Sequence, residues 1–307
     1  MTMEATSVNR DQDLLEKSAA LRDAIKKGNA REAFAAAELA AVVLDFRDSD
    51  AMIGLPPANE KRIDELRTLR LRALELSAKK GMPEAHARLA RAALDDDDLA
   101  GAIEHYANAA ASGVPELVVE AAELIRRADH RPMAKTAHGW LEKAGESDDG
   151  AVEYARALYA FHGFGRKKDH KAALALHEAA GKKGHGEAMF ELYAMCSQGL
   201  GTKPDAKRAL DWCVEAAEAG NARAMSNLGG FYATGNGVEQ DTATSVTWYD
   251  RAAQAGHGKA AATLGFMYIM GTELAADPKK ARAYFELADD AGFDWRPMAE
   301  QLGLEID

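Results

Sequence analysis

Residues of unlike type recur every 36 positions through the second half of this chain, and that interval constrains the fold more than any other feature. Gly163, Gly199, Gly235 and Gly271 share it. So do Trp140, Leu176, Trp212, Trp248 and Tyr284, as well as Ala144, Ala180, Ala216, Ala252 and Ala288, and Gly184, Gly220, Gly256 and Gly292. A fixed interval of this length marks an array in which each unit stacks on its neighbours because it cannot bury its apolar face alone.

One unit is read from "NARAMSNLGGFYATGNGVEQDTATSVTWYDRAAQAG", residues 221–256. Ala224, Leu228 and Phe231 fall on one helical face, which predicts a first helix, here called helix A. Gly235 can end it at positive φ, and Asp241 can cap a second helix, helix B. Helix B presents Val246, Tyr249 and Ala253, with Trp248 and Ala252 alongside, and stops at Gly256. Trp248 is expected to lie between helices.

Four units fit the template: 149–184, 185–220, 221–256 and 257–292. Residues 82–148 read as two degenerate helix pairs, the first turning at Asp95–Asp98 with Asp98 as the next cap. Residues 1–81 read as divergent helices at about 11–27, 30–45 and 59–80, with a loop "RDSDAMIGLPPANE" between the last two. Residues 293–307 supply a closing helix, since terminal units of an array are often atypical. The fold class is all-α, with 14 to 16 helices expected.

The pattern A-x-x-x-L-G-x-x-Y-x-x-G-x-G-V-x-x-D followed by W-Y-x-x-A-A-x-x-G resembles the Sel1-like repeat, a relative of the tetratricopeptide repeat. Residues 221–256 carry it most fully, through Leu228, Gly229, Tyr232, Gly235, Gly237, Asp241, Trp248 and Tyr249. The unit at 257–292 keeps Leu264, Gly265, Tyr268, Gly271 and Asp277 but reads "GTELAAD" where a second glycine is expected. The resemblance implies a right-handed α-solenoid whose concave side is lined mainly by A helices. It also implies a scaffold or adaptor for other proteins, as in bacterial regulation or signalling.

Composition narrows the functional classes. The formal net charge of -11 disfavours a nonspecific grip on nucleic acid or anionic lipid, and no long basic run appears. The most apolar stretch, at 33–46, is short for a membrane span and is broken by Glu38. The N-terminal residues have no apolar secretory core. A cytoplasmic location is therefore expected, with Cys196 and Cys213 as core thiols.

No catalytic or metal motif emerges. The G-x-G elements follow helices rather than strands. His185 and His257 occupy equivalent turns between units, no H-E-x-x-H or C-x-x-C occurs, and Asp95–Asp98 lacks the EF-hand glycine and glutamate. No cofactor and no metal are expected.

Positions that vary between units are free of the fold's demands. On the A helices one such stripe, by i, i+3, i+7 spacing, holds Glu191, Ala194 and Gln198, then Asn227, Gly230 and Thr234, then Thr263, Phe266 and Met270, with His162 one unit earlier. It predicts a concave ligand-binding face formed by His162, Glu191, Gln198, Asn227, Thr234, Thr263, Phe266 and Met270. A closing helix around Trp295 and Leu302 is the alternative cover for Phe266 and Met270. The expected function is noncatalytic binding of a protein or peptide, with no nucleic acid partner and no membrane insertion. An inhibitor such as a toxin immunity protein is a second reading, since an acidic surface suits a basic target. An enzyme with its site in the N-terminal helices is a third, though no convergent acid, base and nucleophile appear there.

Overall fold

The computed structural model describes residues 3–45, 57–271 and 274–304. Among them are sixteen helices and no strand. The expected loop between the second and third helices lies mostly outside the described residues, as does Glu273, which stands at the place of the missing glycine. Two compact units divide between Ala144 and Gly145.

The first unit begins with α1 (Met3–Lys27), α2 (Ala30–Asp45) and α3 (Pro57–Lys79), followed by α4 (Pro83–Asp95), α5 (Leu99–Ala110), α6 (Pro115–Arg127) and α7 (Arg131–Lys143). Alanines let the first helices approach closely: Ala33, Ala37, Ala40, Ala73 and Ala85 are buried with Leu21, Leu66 and Leu74 in one core. Asp98 caps α5 as expected, accepting from the Gly101 amide at 2.9 Å.

The second unit holds four hairpins. Their A helices are α8 (Ala151–His162), α10 (Gly186–Gln198), α12 (Ala222–Thr234) and α14 (Gly258–Met270). Their B helices are α9 (His170–Lys182), α11 (Ala206–Glu218), α13 (Thr242–Gln254) and α15 (Pro278–Asp290), and α16 (Arg296–Gln301) closes the series. Each A helix ends at its periodic glycine in the left-handed region, at φ 68°, 73°, 73° and 62° for Gly163, Gly199, Gly235 and Gly271. Six residues on, an aspartate does two jobs. The carboxylates of Asp169, Asp205, Asp241 and Asp277 accept amide hydrogens in the first turn of the B helix. Their own amides donate back to the carbonyls of Ala160, Cys196, Tyr232 and Tyr268 on helix A, at 2.9 to 3.0 Å. One residue thus satisfies orphan donors of helix B and an orphan acceptor of helix A.

The other ends are equally regular. The amides of His185, Asn221, His257 and Phe293 donate to the carbonyls of Ala180, Ala216, Ala252 and Ala288, at 2.9 to 3.2 Å. These bonds span the glycines Gly184, Gly220, Gly256 and Gly292, which turn the chain at positive φ. His185, Asn221 and His257 then cap the next A helices through side-chain acceptors, which accounts for the two turn histidines.

Within a hairpin, volume on one helix is matched by space on the other. Tyr249 of α13 lies so close to Gly229 of α12 that a Cβ there would meet its ring at 2.8 Å, and Phe285 stands likewise 2.6 Å from the place of a Cβ on Gly265. One repeat earlier the sizes are exchanged, with Tyr193 on the A helix and buried Cys213 on the B helix. Trp248, expected to lie between helices, packs on the core only in part. Its indole is half-buried, with the Arg251 guanidinium 4.2 Å from the ring centroid. Its removal is therefore expected to cost less than the about 3 to 5 kcal/mol typical of a buried indole.

Gly229→Ala is expected to destabilise by about 1 to 3 kcal/mol, because the methyl must displace an aromatic ring. At the adjacent Gly230 a Cβ meets only the Tyr249 hydroxyl, at 3.4 Å. Gly230→Ala should be neutral or stabilise by up to about 1 kcal/mol through helix propensity. Urea denaturation of the two variants checks the contrast.

Candidate functional site

Seven of the eight predicted stripe residues have access to solvent. Gln198 and Thr234 are exposed, and Glu191, Asn227 and Thr263 are half-buried. Glu191 lies 3.9 Å from the Arg223 guanidinium across the repeat boundary. The Thr234 and Thr263 hydroxyls donate to the carbonyls one turn back, Gly230 at 2.8 Å and Lys259 at 2.9 Å. His162 is exposed at the end of α8, edge-on to Phe161.

Phe266 departs from the expectation. It is 4% exposed, covered by Phe285 and Trp295 at ring separations of 5.1 and 6.5 Å. Burying a phenyl ring under the closing segment removes it from any ligand surface in this array. Met270, one turn further, is not covered and remains 41% exposed.

Beside the stripe lie half-buried aromatics that pack against the core. Phe190 and Tyr193 of α10 lie 5.6 Å apart, and Tyr193 meets Phe231 of α12 edge-on at 6.2 Å. The Arg223 guanidinium lies 4.3 Å from the Phe190 ring centroid, and its other face of interaction is a bond to Glu187. Register is the available sequence signal: the place of Phe190 is held by Tyr154 in the preceding unit and by Ser226 and Ala262 in the next two. Ala194 and Gly230 keep the strip between these rings low. The result is a polar and aromatic surface over α10 and α12, with Asn227 able both to donate and to accept hydrogen bonds.

Groups with shifted proton affinity are structural. Burial pushes the Cys213 thiol up to about 12, and Cys196 is also raised by burial, so neither is a thiolate near neutrality. Burial, the largest single effect, raises Glu153, but the Lys183 ammonium, which donates to it at 2.9 Å, together with its own backbone amide and the Ser147 hydroxyl brings the net shift downward. In the first unit a recess of about 470 Å3 between α1 and α2 is lined by Glu16, Lys17, Asp23, Glu32 and small or aliphatic residues, without a nucleophile or an imidazole. Among the described residues no group of three or more His, Cys, Asp or Glu could hold a metal ion.

Comparison with known proteins fits this architecture. A family model for the Sel1 repeat matches residues 151–185, 186–221, 222–257 and 258–293. These are four Sel1 repeats. The chain is similar to a Sel1 repeat protein from Oxalobacter formigenes, at 24% identity and a TM-score of 0.51, over 67% of this chain and 83% of that one. It is also similar to a protective antigen of uropathogenic Escherichia coli that displays an SLR fold, at 19% identity and a TM-score of 0.61. That match covers 90% of this chain but 56% of the antigen, so the chain spans little over half the antigen's length. At these identities the likeness speaks for the fold alone. No curated protein matches the chain.

His177 gives the unit a pH dependence. The ring is 1% exposed on α9, and burial, aided by nearby His185, lowers its pKa from 6.5 to about 4. A buried neutral imidazole contributes stability that is complete above the unfolded pKa and is lost as pH falls from 6.5 toward 4, by at most about 3 kcal/mol. The urea midpoint should fall between about pH 7.5 and about pH 5, and His177→Leu should flatten that fall.

Proposed function

We propose that this protein is a noncatalytic adaptor that holds a peptide or protein segment on the A-helix face of its Sel1 repeats. Sel1 repeats generally mediate protein–protein interaction. The observation that carries the reading is the surface over α10 and α12. Glu191, Gln198, Asn227 and Thr234 stand there next to Phe190, Tyr193 and Phe231, rings that pack on the core yet stay half-buried. Half-buried aromatics beside uncommitted amides suit an extended chain, since rings supply contact area and amides pair with its backbone. An array curved by small rotations between units would place this face on its inner side.

No helix among the described residues is long and apolar enough to cross a membrane. The reading places the protein in a reducing bacterial cytoplasm, in regulation or signalling, which suits two buried free thiols. The inhibitor reading remains the second one, favoured by the net charge of -11 if the target is basic.

Affinity capture from the native host, with mass spectrometry, supplies the partner for the test. Asn227→Arg combined with Gln198→Arg should lower its affinity at least tenfold, about 1.4 kcal/mol, with helicity and melting temperature kept. Unchanged affinity would move the functional surface elsewhere.

A further inference from the structure

The loops of the first two Sel1 repeats bring together cations that are far apart in sequence. Arg166, Lys167, Lys168 and Lys171 lie on the first loop and at the start of α9, and Lys203 and Lys207 occupy the matching places one repeat on. The two loops abut: a Cβ on Gly201 would stand 2.3 Å from the His170 carbonyl oxygen and 3.0 Å from the Lys171 amide nitrogen. All six side chains reach solvent, and five are fully exposed.

None of the six pairs with a carboxylate. Elsewhere in the same unit Lys183, Arg208, Arg223, Arg251, Arg282 and Arg296 do, whereas the scattered Lys182, Lys259, Lys279 and Lys280 do not. The aspartates nearest in sequence, Asp169 and Asp205, are engaged in capping α9 and α11. Lys171 and Lys207 also sit in the first turn of those helices, where the peptide dipoles disfavour positive charge. The scaffold does not require this arrangement. The third repeat reads Val238, Glu239 and Gln240 across the same loop and Ala243 at the place of Lys171, although the fourth keeps a lysine there, Lys279. A like-charged cluster that costs stability, on a chain of net charge -11, is a local reversal of sign with no carboxylate partner, Lys168 alone meeting a ring, that of Phe161, at 5.9 Å.

We propose that this loop edge docks an acidic, extended segment of a partner protein. The inference rests on the protein-binding reading but uses a surface separate from the A-helix stripe. Five of the six cations are lysines, point charges that donate to carboxylates in many geometries, and only Arg166 offers the fork that binds phosphate in a bidentate way. Nucleic acid would in addition need exposed stacking rings, and Phe161, the aromatic beside the patch, is already stacked on His170 at 4.8 Å.

Fluorescence anisotropy with a labelled oligoglutamate peptide tests the proposal on the full chain. Binding should weaken at least tenfold from about 0.05 M to about 0.3 M salt as the charges are screened. It should weaken at least tenfold in the Lys167→Glu, Lys203→Glu double variant, whose melting temperature should not fall because both side chains are exposed. Asn227→Ala, on the stripe, should leave oligoglutamate binding unchanged, so failure of the stripe and failure of the loop edge are read separately. The proposal is overturned by no binding at low salt, by equal binding of the charge-reversed variant, or by tighter binding of oligothymidylate or phosphatidylserine vesicles than of oligoglutamate.

Discussion

The bond from the Asp241 amide to the Tyr232 carbonyl, with its counterparts at Asp169, Asp205 and Asp277, is the constraint on which the second unit depends. A short loop between antiparallel helices leaves amides and carbonyls at both ends without partners, and water cannot serve all of them where the helices pack. The periodic glycine reverses the chain at low steric cost, and the aspartate then closes the hairpin with its own amide and carboxylate. Fixed loop length follows from that clasp. Fixed loop length sets the facing of the two helices, and that facing places Tyr249 on Gly229 and Phe285 on Gly265.

Because the clasp and the turn at Gly184, Gly220, Gly256 and Gly292 settle the geometry, other positions are released from structural duty. The A-helix stripe and the loop residues between glycine and aspartate are the largest such sets. They differ in chemistry: the stripe joins amides to half-buried rings, and the loop edge of the first two repeats gathers six cations around the capping Asp169 and Asp205. An array of this kind can hold two separate surfaces on one scaffold, since each repeat touches only its neighbours.

Much of this was legible in the sequence. The period, the capping aspartates and the paired glycines all arise from local backbone chemistry, which acts over a few residues and leaves its mark in residue type. The G-x-G elements were correctly assigned to turns for the same reason. Spacing put Phe266 on the stripe, but its burial follows the alternative reading, in which Trp295 covers it from outside the periodic pattern. The half-buried state of Trp248 depends on how successive hairpins stack, and the period does not encode that. In the sequence the basic edge shows only as the short run Arg166 to Lys168, since stacking alone brings Lys203 to a neighbouring loop. In the first unit the helices were readable from their caps and breakers, but the Ala-lined contacts of α1, α2 and α3 carry no period that could have fixed their partners.

The central claim is that stability in the second unit passes between neighbouring hairpins rather than through one interlocked core. The most direct test is a chain ending at Gly256, which removes α14, α15 and α16 while leaving three complete hairpins. Far-UV circular dichroism and urea denaturation should find the remaining helices intact, with helical signal lost in proportion to the residues removed and a cooperative transition retained. Collapse of the helical signal across the remaining repeats would contradict the account.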